Sequence, residues 1–217
     1  MSQKVLEVKN LTKKFGKFTA VNNISFDIKE GEILGLLGPN GAGKTTTIHM
    51  LLDVMDPTNG SISYFGKPLK GNRSEILKKL NFSSAYISLP WLFTVEEVLN
   101  VFANLYEVPN KQTRIKRLLS EFEIEHLRKK SIHMLSAGEM ARLLLTKAFI
   151  NYPKIILLDE PTASLDPDIA VKIREFLRRQ QKEYKVSMLF TSHNMSEVEE
   201  MCDNIVFLNK GKIIAKD

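Results

Sequence analysis

The residues whose types and spacing could do chemistry begin at Gly38. The run Gly38-Pro39-Asn40-Gly41-Ala42-Gly43-Lys44-Thr45 has the spacing glycine, four residues, glycine, lysine, threonine. Glycines let a backbone take positive φ and approach a ligand closely. Successive N–H groups at the start of a helix then form an anion-binding concavity. This spacing predicts a loop that cradles phosphates, with Lys44 reaching the β- and γ-phosphates and the Thr45 hydroxyl available to Mg²⁺. The expected nucleotide-binding set is Gly38 through Thr46, so it includes Pro39, Asn40, Gly41, Ala42, Gly43 and Thr46. The motif needs a strand before it and a helix after it. Ile33 to Leu37 is a short apolar run, and Thr46 to Leu52 reads as a helix.

A second cluster follows Ile155-Ile156-Leu157-Leu158, an apolar run that predicts a buried strand ending in Asp159. Asp159 is the expected metal carboxylate, held to Mg²⁺ directly or through water. Glu160 follows, and a carboxylate not taken up by the metal is the candidate general base for an attacking water. Lys44 and Glu160 are expected catalytic residues.

The elements that must position these groups are legible in outline. Val5 to Asn10 and Phe18 to Ile28 alternate apolar and polar residues, with Ile24, Phe26 and Ile28 on one face. Thr94-Val95-Glu96-Glu97 and Ser136-Ala137-Gly138-Glu139 are capping boxes. They predict helices over about 95–106 and from 136 to about 150, with another over about 113–122 between them. Strands return at 155–158, 188–191 and 205–208, with a helix over about 168–183 between the first two. Strands with intervening helices imply a parallel sheet covered on both faces. Residues 90–150 read as a helical insertion, and 1–89 with 151–217 as the core, all within one domain.

Composition excludes several classes. The chain has 217 residues, of which 43% are hydrophobic, enough for a packed core. It has no apolar run long enough to span a bilayer and no signal-peptide pattern at its start. One cysteine, Cys202, allows no intrachain disulfide and fits a cytosolic location. The net charge of +6 leaves nucleic acid, an anionic membrane surface and ordinary solvated charge as readings. The basic stretches 111–130 and 172–185 are interspersed with Glu, as solvated helix faces are.

Taken in order, these motifs resemble those of the nucleotide-binding subunits of ATP-binding-cassette (ABC) transporters. Leu135-Ser136-Ala137-Gly138-Glu139 resembles the family's signature pentapeptide, Asp159-Glu160-Pro161-Thr162 its Walker B extension, and Ser164-Leu165-Asp166 its D-loop. Thr191-Ser192-His193 ends in its switch histidine, which makes His193 an expected catalytic residue beside Lys44 and Glu160, and Phe15 lies where it places an aromatic residue that stacks on adenine. The resemblance implies an α/β fold. Its centre would be a P-loop NTPase (RecA-like) parallel sheet, carrying an N-terminal antiparallel β subdomain and an inserted α-helical subdomain. It implies ATP and Mg²⁺ as ligands. Two copies, or this chain and a related ATPase subunit, would pack head to tail so that Ser136 and Gly138 meet the γ-phosphate held by the mate, with Asp166 ordering the interface.

A separate transmembrane permease would be the partner, placing the chain on the inner face of the membrane. Direct nucleic-acid binding is not expected, although a non-transport ATPase of this fold acting on nucleic acid or the ribosome is the alternative. The chain departs from the family in one respect. The stretch Phe82 to Ser88 has no Gln where the family carries one that touches Mg²⁺, and Ser83 or Ser84 could offer a hydroxyl instead. That gap and the short chain lean toward an exporter. In Leu89-Pro90-Trp91-Leu92-Phe93, Trp91 is either a contact to the permease or buried inside the helical insertion.

Overall fold

The computed structural model describes residues 3–84, 88–192 and 194–216. Two long strands open the chain, β1 (Lys4–Phe15) and β2 (Phe18–Lys29), followed by the short β3 (Ile33–Leu37) and helix α1 (Lys44–Leu51). Next come β4 (Asn59–Tyr64), β5 (Lys67–Pro68), α2 (Arg73–Leu77) and β6 (Leu80–Ser84). The helical stretch holds α3 (Val95–Leu105), α4 (Lys111–Glu121) and α5 (Ala137–Ala148), with short 3₁₀ turns between the last two. The chain closes with β7 (Ile155–Asp159), α6 (Pro167–Tyr184), β8 (Ser187–Thr191), α7 (Met195–Met201), β9 (Asn204–Asn209) and β10 (Lys212–Lys216).

These strands form two sheets. One is antiparallel in the order β2-β1-β4-β5; the other runs β10-β9-β3-β8-β7-β6. In the second sheet β9, β3, β8, β7 and β6 are parallel, and β10 pairs antiparallel on the edge. Every residue of β3, β7 and β8 is buried, as expected for strands covered on both faces. The outer strands alternate instead: Ile24, Phe26 and Ile28 of β2 face inward. One apolar cluster lies between the antiparallel sheet, α1 and one face of the parallel sheet. The other joins the opposite face to α3, α4, α5 and α6, with Phe122, Phe149 and Phe176 packed ring against ring.

The two capping boxes form as the sequence predicts. Thr94 Oγ1 accepts from Glu97 N and the Glu97 carboxylate accepts from Thr94 N, and Ser136 and Glu139 repeat the arrangement. The basic stretches are largely paired on the surface. Glu121 accepts from Arg179 and lies 4.0 Å from Arg117, and Lys172 meets Glu123 at 2.6 Å. One of the two readings of Trp91 is overturned. Its ring is 71% exposed and Leu92 beside it 86%, because they stand in the turn ahead of the Thr94 cap rather than on the apolar stripe of α3. Two further differences concern short elements. Helix α2 and edge strand β10 have no forerunner in the sequence reading, one being five residues long and the other almost wholly exposed.

Candidate functional site

β3 delivers the chain to the glycine loop, and α1 leaves from it. Gly38 has φ 143°, and a Cβ there would stand 2.1 Å from the Leu208 carbonyl oxygen of β9. Gly43, the N-cap of α1, has φ 107°, and a Cβ would meet the Ala20 carbonyl at 2.7 Å. A side chain at either place would push the loop off the sheet that supports it. The first turn of α1 carries no acidic residue and no side-chain cap, so its N-terminal amides keep their partial positive charge for a ligand. The Lys44 ammonium lies across the loop, donating to the Gly38 carbonyl at 2.6 Å and the Pro39 carbonyl at 3.3 Å. The Thr45 side chain is exposed, whereas the Thr47 hydroxyl is used internally, donating to Gly43 O.

The carboxylates reach the same place from β7. A cleft of about 260 Å³ is lined by Asn40 through Thr46, Asp159 and Glu160, together with Phe18 and Ala20 from β2. Asp159 is buried and oriented by two hydroxyls: Thr191 of β8 donates to Oδ1 at 2.7 Å, and Ser84 of β6 to Oδ2 at 3.3 Å. The Ser84 hydroxyl thus reaches the carboxylate through its strand neighbour, the register placing Ser84 opposite Asp159. Glu160 has left-handed φ of 50°, a conformation disfavoured for a non-glycine residue. Its N–H donates to both the carbonyl and the hydroxyl of Thr191, at 3.2 and 3.1 Å. Thr191 therefore fixes Asp159 and the strained turn at Glu160 together.

Six other expected residues lie outside this cleft's lining among the described residues: Gly38 and Pro39 at the start of the loop, and Phe15, Ser136, Gly138 and Asp166. Phe15 is 47% exposed, and Lys13 Nζ stands 5.3 Å from its ring centroid. Ser136 is the exposed N-cap of α5. Its partner Glu139 has its carboxyl held below the ordinary carboxylate range, first by the Ser136 backbone N–H and then by Lys130. Gly138, one turn in, is close to the chain's own Ser164: a Cβ would stand 3.3 Å from the Ser164 carbonyl. Asp166 is the exposed N-cap of α6, ahead of Pro167. His193 lies outside the described residues.

The sequence reading missed Thr191, Phe18, Ala20 and the buried carboxylate of Glu197. Phe18 is 64% exposed at the mouth of the cleft, and an aromatic residue that exposed was a signal only a structure could supply.

A glycine loop opening a helix, a lysine across it, and a buried Asp followed by Glu at the end of β7, with β8 between it and the loop's own strand β3 in the parallel sheet, define a nucleoside-triphosphate-hydrolysing core of the P-loop class. The ABC transporter family model matches residues 21–163. The chain belongs to that family and is one of its ATP-binding domains, an ATPase. It is 33% identical to the bacitracin transport ATP-binding protein BcrA of Bacillus licheniformis, over 97% of this chain and 68% of that protein. It is 36% identical to the Nod factor export ATP-binding protein I of Burkholderia orbicola, over 100% of this chain and 71% of that one. Among solved structures, it superposes with a TM-score of 0.92 on an ATP-binding subunit of an ABC transporter at 29% identity, covering 98% of this chain and 89% of that one. A dimeric cassette in a post-hydrolysis state with ADP and Pi gives a TM-score of 0.89 at 26% identity, covering 98% and 97%. Among the described residues no helix is long and apolar enough to cross a membrane.

Proposed function

We propose that this chain hydrolyses ATP at a site completed by a second cassette, and that closing and reopening of the pair drives an exporter-type permease made of other polypeptides. The observation that carries this reading is the placement of Glu160. It lines the cleft of the glycine loop immediately after the hydroxyl-oriented Asp159, so base and metal carboxylates are separate groups.

The residues present suit Mg²⁺. Among the described residues no cluster of three or more His, Cys, Asp or Glu could hold a metal by itself. A cation here would take oxygen from the exposed Thr45 hydroxyl, from Asp159, and from water and the substrate's own phosphates, which is how Mg²⁺ is usually held. Bound there, it would neutralise charge on the transferring phosphoryl group. Lys44 exchanges its two loop carbonyls for phosphate oxygens, and the α1 amides and loop N–H groups hold the β-phosphate. Glu160 takes the proton of the attacking water, and His193 hydrogen-bonds the γ-phosphate. Phe15 covers the adenine. On the second copy, Ser136 and the α5 N-terminus face the γ-phosphate, with Gly138 allowing close approach and Asp166 ordering the junction.

The permease binds at the membrane face through the exposed Trp91–Phe93 turn and holds the cassettes at the inner surface. The direction follows the names of the Nod factor export proteins; BcrA carries only transport in its name, and the spermidine/putrescine import protein PotA of Clostridium novyi is also 33% identical.

Glu160→Gln tests the reading. With ATP the variant is expected to elute as a stable dimer by size exclusion with light scattering, and its phosphate release to fall at least about a hundredfold. Unchanged turnover would remove Glu160 from the role of base.

A further inference from the structure

Glu197 sits in the first turn of α7, and no step described so far uses it. It is only 7% exposed. A carboxylate withdrawn from water to that degree persists only when its oxygens are matched. Here the matching groups come from two places that bear on catalysis. The Thr162 hydroxyl donates to Oε1, and the Ser192 hydroxyl to Oε2 at 2.7 Å. Arg174 of α6 lies 3.8 Å from Oε1 and pairs at 2.9 Å with Glu200, so the guanidinium is shared rather than committed to Glu197.

Thr162 stands two residues after Glu160, in a turn whose N–H of Ala163 returns to the Glu160 carbonyl. Ser192 follows Thr191 and precedes His193 in sequence. Its hydroxyl is fully employed, accepting from Asn194 N at 3.1 Å while donating to Glu197. On the other side of the same strand end, Thr191 receives the Glu160 N–H and binds Asp159. The turn carrying Glu160 and the strand end leading to His193 are therefore joined twice, once through Thr191 and once through the two oxygens of Glu197. Capping alone does not account for Glu197. The α7 N-terminus is already capped by Asn194 Oδ1, which accepts from Ser196 N and Glu197 N.

The geometry points to Glu197 as a positioning residue for hydrolysis: its carboxylate bridges Thr162 and Ser192, and so sets the spacing between the base Glu160 and the segment that bears His193. The inference rests on the role given to Glu160 above. Glu197 touches neither substrate nor metal; it acts through the two backbone segments it holds.

The test uses the subunit assembled with its permease and compares wild type with Glu197→Ala and Glu197→Gln. Loss of positioning predicts a kcat lowered about tenfold or more in Glu197→Ala, with KM and equilibrium affinity for ATP within about threefold of wild type. Glu197→Gln should recover at least about a third of the wild-type kcat, because its amide oxygen still accepts from one hydroxyl and its NH₂ can donate to the other. A Glu197→Ala enzyme with wild-type kcat overturns the proposal. So does a parallel fall of kcat, ATP affinity and melting temperature, or a Glu197→Gln enzyme as slow as Glu197→Ala. Where Glu197→Ala fails to fold, the double variant Thr162→Val/Ser192→Ala removes the same two bonds, and an unchanged kcat in it is equally fatal. Failure of the ATPase reading itself would show differently, as a wild-type complex without ATP-dependent turnover.

Discussion

Gly38 and Gly41 share positive φ, 143° and 78°, but only one is also crowded. A Cβ at Gly38 collides with backbone of β9, whereas at Gly41 it meets nothing within 4 Å. Gly41→Ala should therefore cost only the dihedral strain, about 1 kcal/mol, and Gly38→Ala more than about twice that, because the sheet or the loop must shift. Urea unfolding of both variants measures the difference; equal costs would mean that the Leu208 contact is relieved without strain. The residues of this site that were legible in sequence are those that act close to their neighbours in the chain. Gly38 to Thr46 announce themselves by spacing, and Asp159 and Glu160 by the apolar run before them. Thr191 and Glu197 were not legible because they reach the site across strand register and through a hydroxyl or a buried carboxylate, and Ser84 was legible only as one of two serines that could offer a hydroxyl. Serine, threonine and glutamate occur throughout the chain, and no local pattern marks the few whose side chains turn inward.

At the scale of the element, the molecule contains its own control. Thr94 and Ser136 cap α3 and α5 with the same pair of bonds, and both Glu97 and Glu139 have their carboxyl pKa lowered, each first by the backbone N–H of its cap residue. As helix caps they are equivalent, so Thr94→Ala and Ser136→Ala should each cost about 1 kcal/mol. As functional groups they are not. In the proposed pair the α5 N-terminus is the one offered to the mate's phosphate, so Ser136→Ala should also lower ATP turnover by about tenfold while Thr94→Ala leaves it near wild type. Denaturation and steady-state phosphate release on the pair separate the two roles. Equal turnover in both would return Ser136 to a purely structural part. Capping boxes were readable because all their atoms come from four consecutive residues. Helix α2 was not, since five residues are too few for an amphipathic period, and β10 buries too little to imprint alternation.

For the whole molecule, the seam between α5 and the parallel sheet is held by polar groups as well as by apolar packing. Lys147 is buried there, its ammonium donating to the Phe82 carbonyl of β6 at 3.2 Å and lying 5.2 Å from the centre of the Phe102 ring. Asn81 of β6 donates to Asn151 at 3.0 Å across the same seam. Burial pushes the Lys147 ammonium down to about 8 from its ordinary 10.5. The unfolded chain therefore binds more protons than the folded one between those values, and the contribution of this residue to stability rises with pH across that window. The rise is of the order of ~3 kcal/mol at most. In Lys147→Met it should disappear, so that wild type gains stability relative to the variant as pH rises from 8 to 10.5. A constant difference would mean that the lysine reaches water. Sequence periodicity recovered the order of strands and helices around this seam. The pairing order β3-β8-β7-β6 was beyond it, because buried strands of similar apolar composition carry no local label for their neighbours.

The contact between Gly138 and Ser164 ties these scales together. Only a few residues of chain run from the carboxylate that would cradle one nucleotide's cation to the carbonyl that abuts the signature glycine. That glycine stands at the edge each cassette would lend to its counterpart. In such a pair, chemistry in one half would lean mechanically on the other, and the two combustion chambers of the engine would fire in conversation rather than alone.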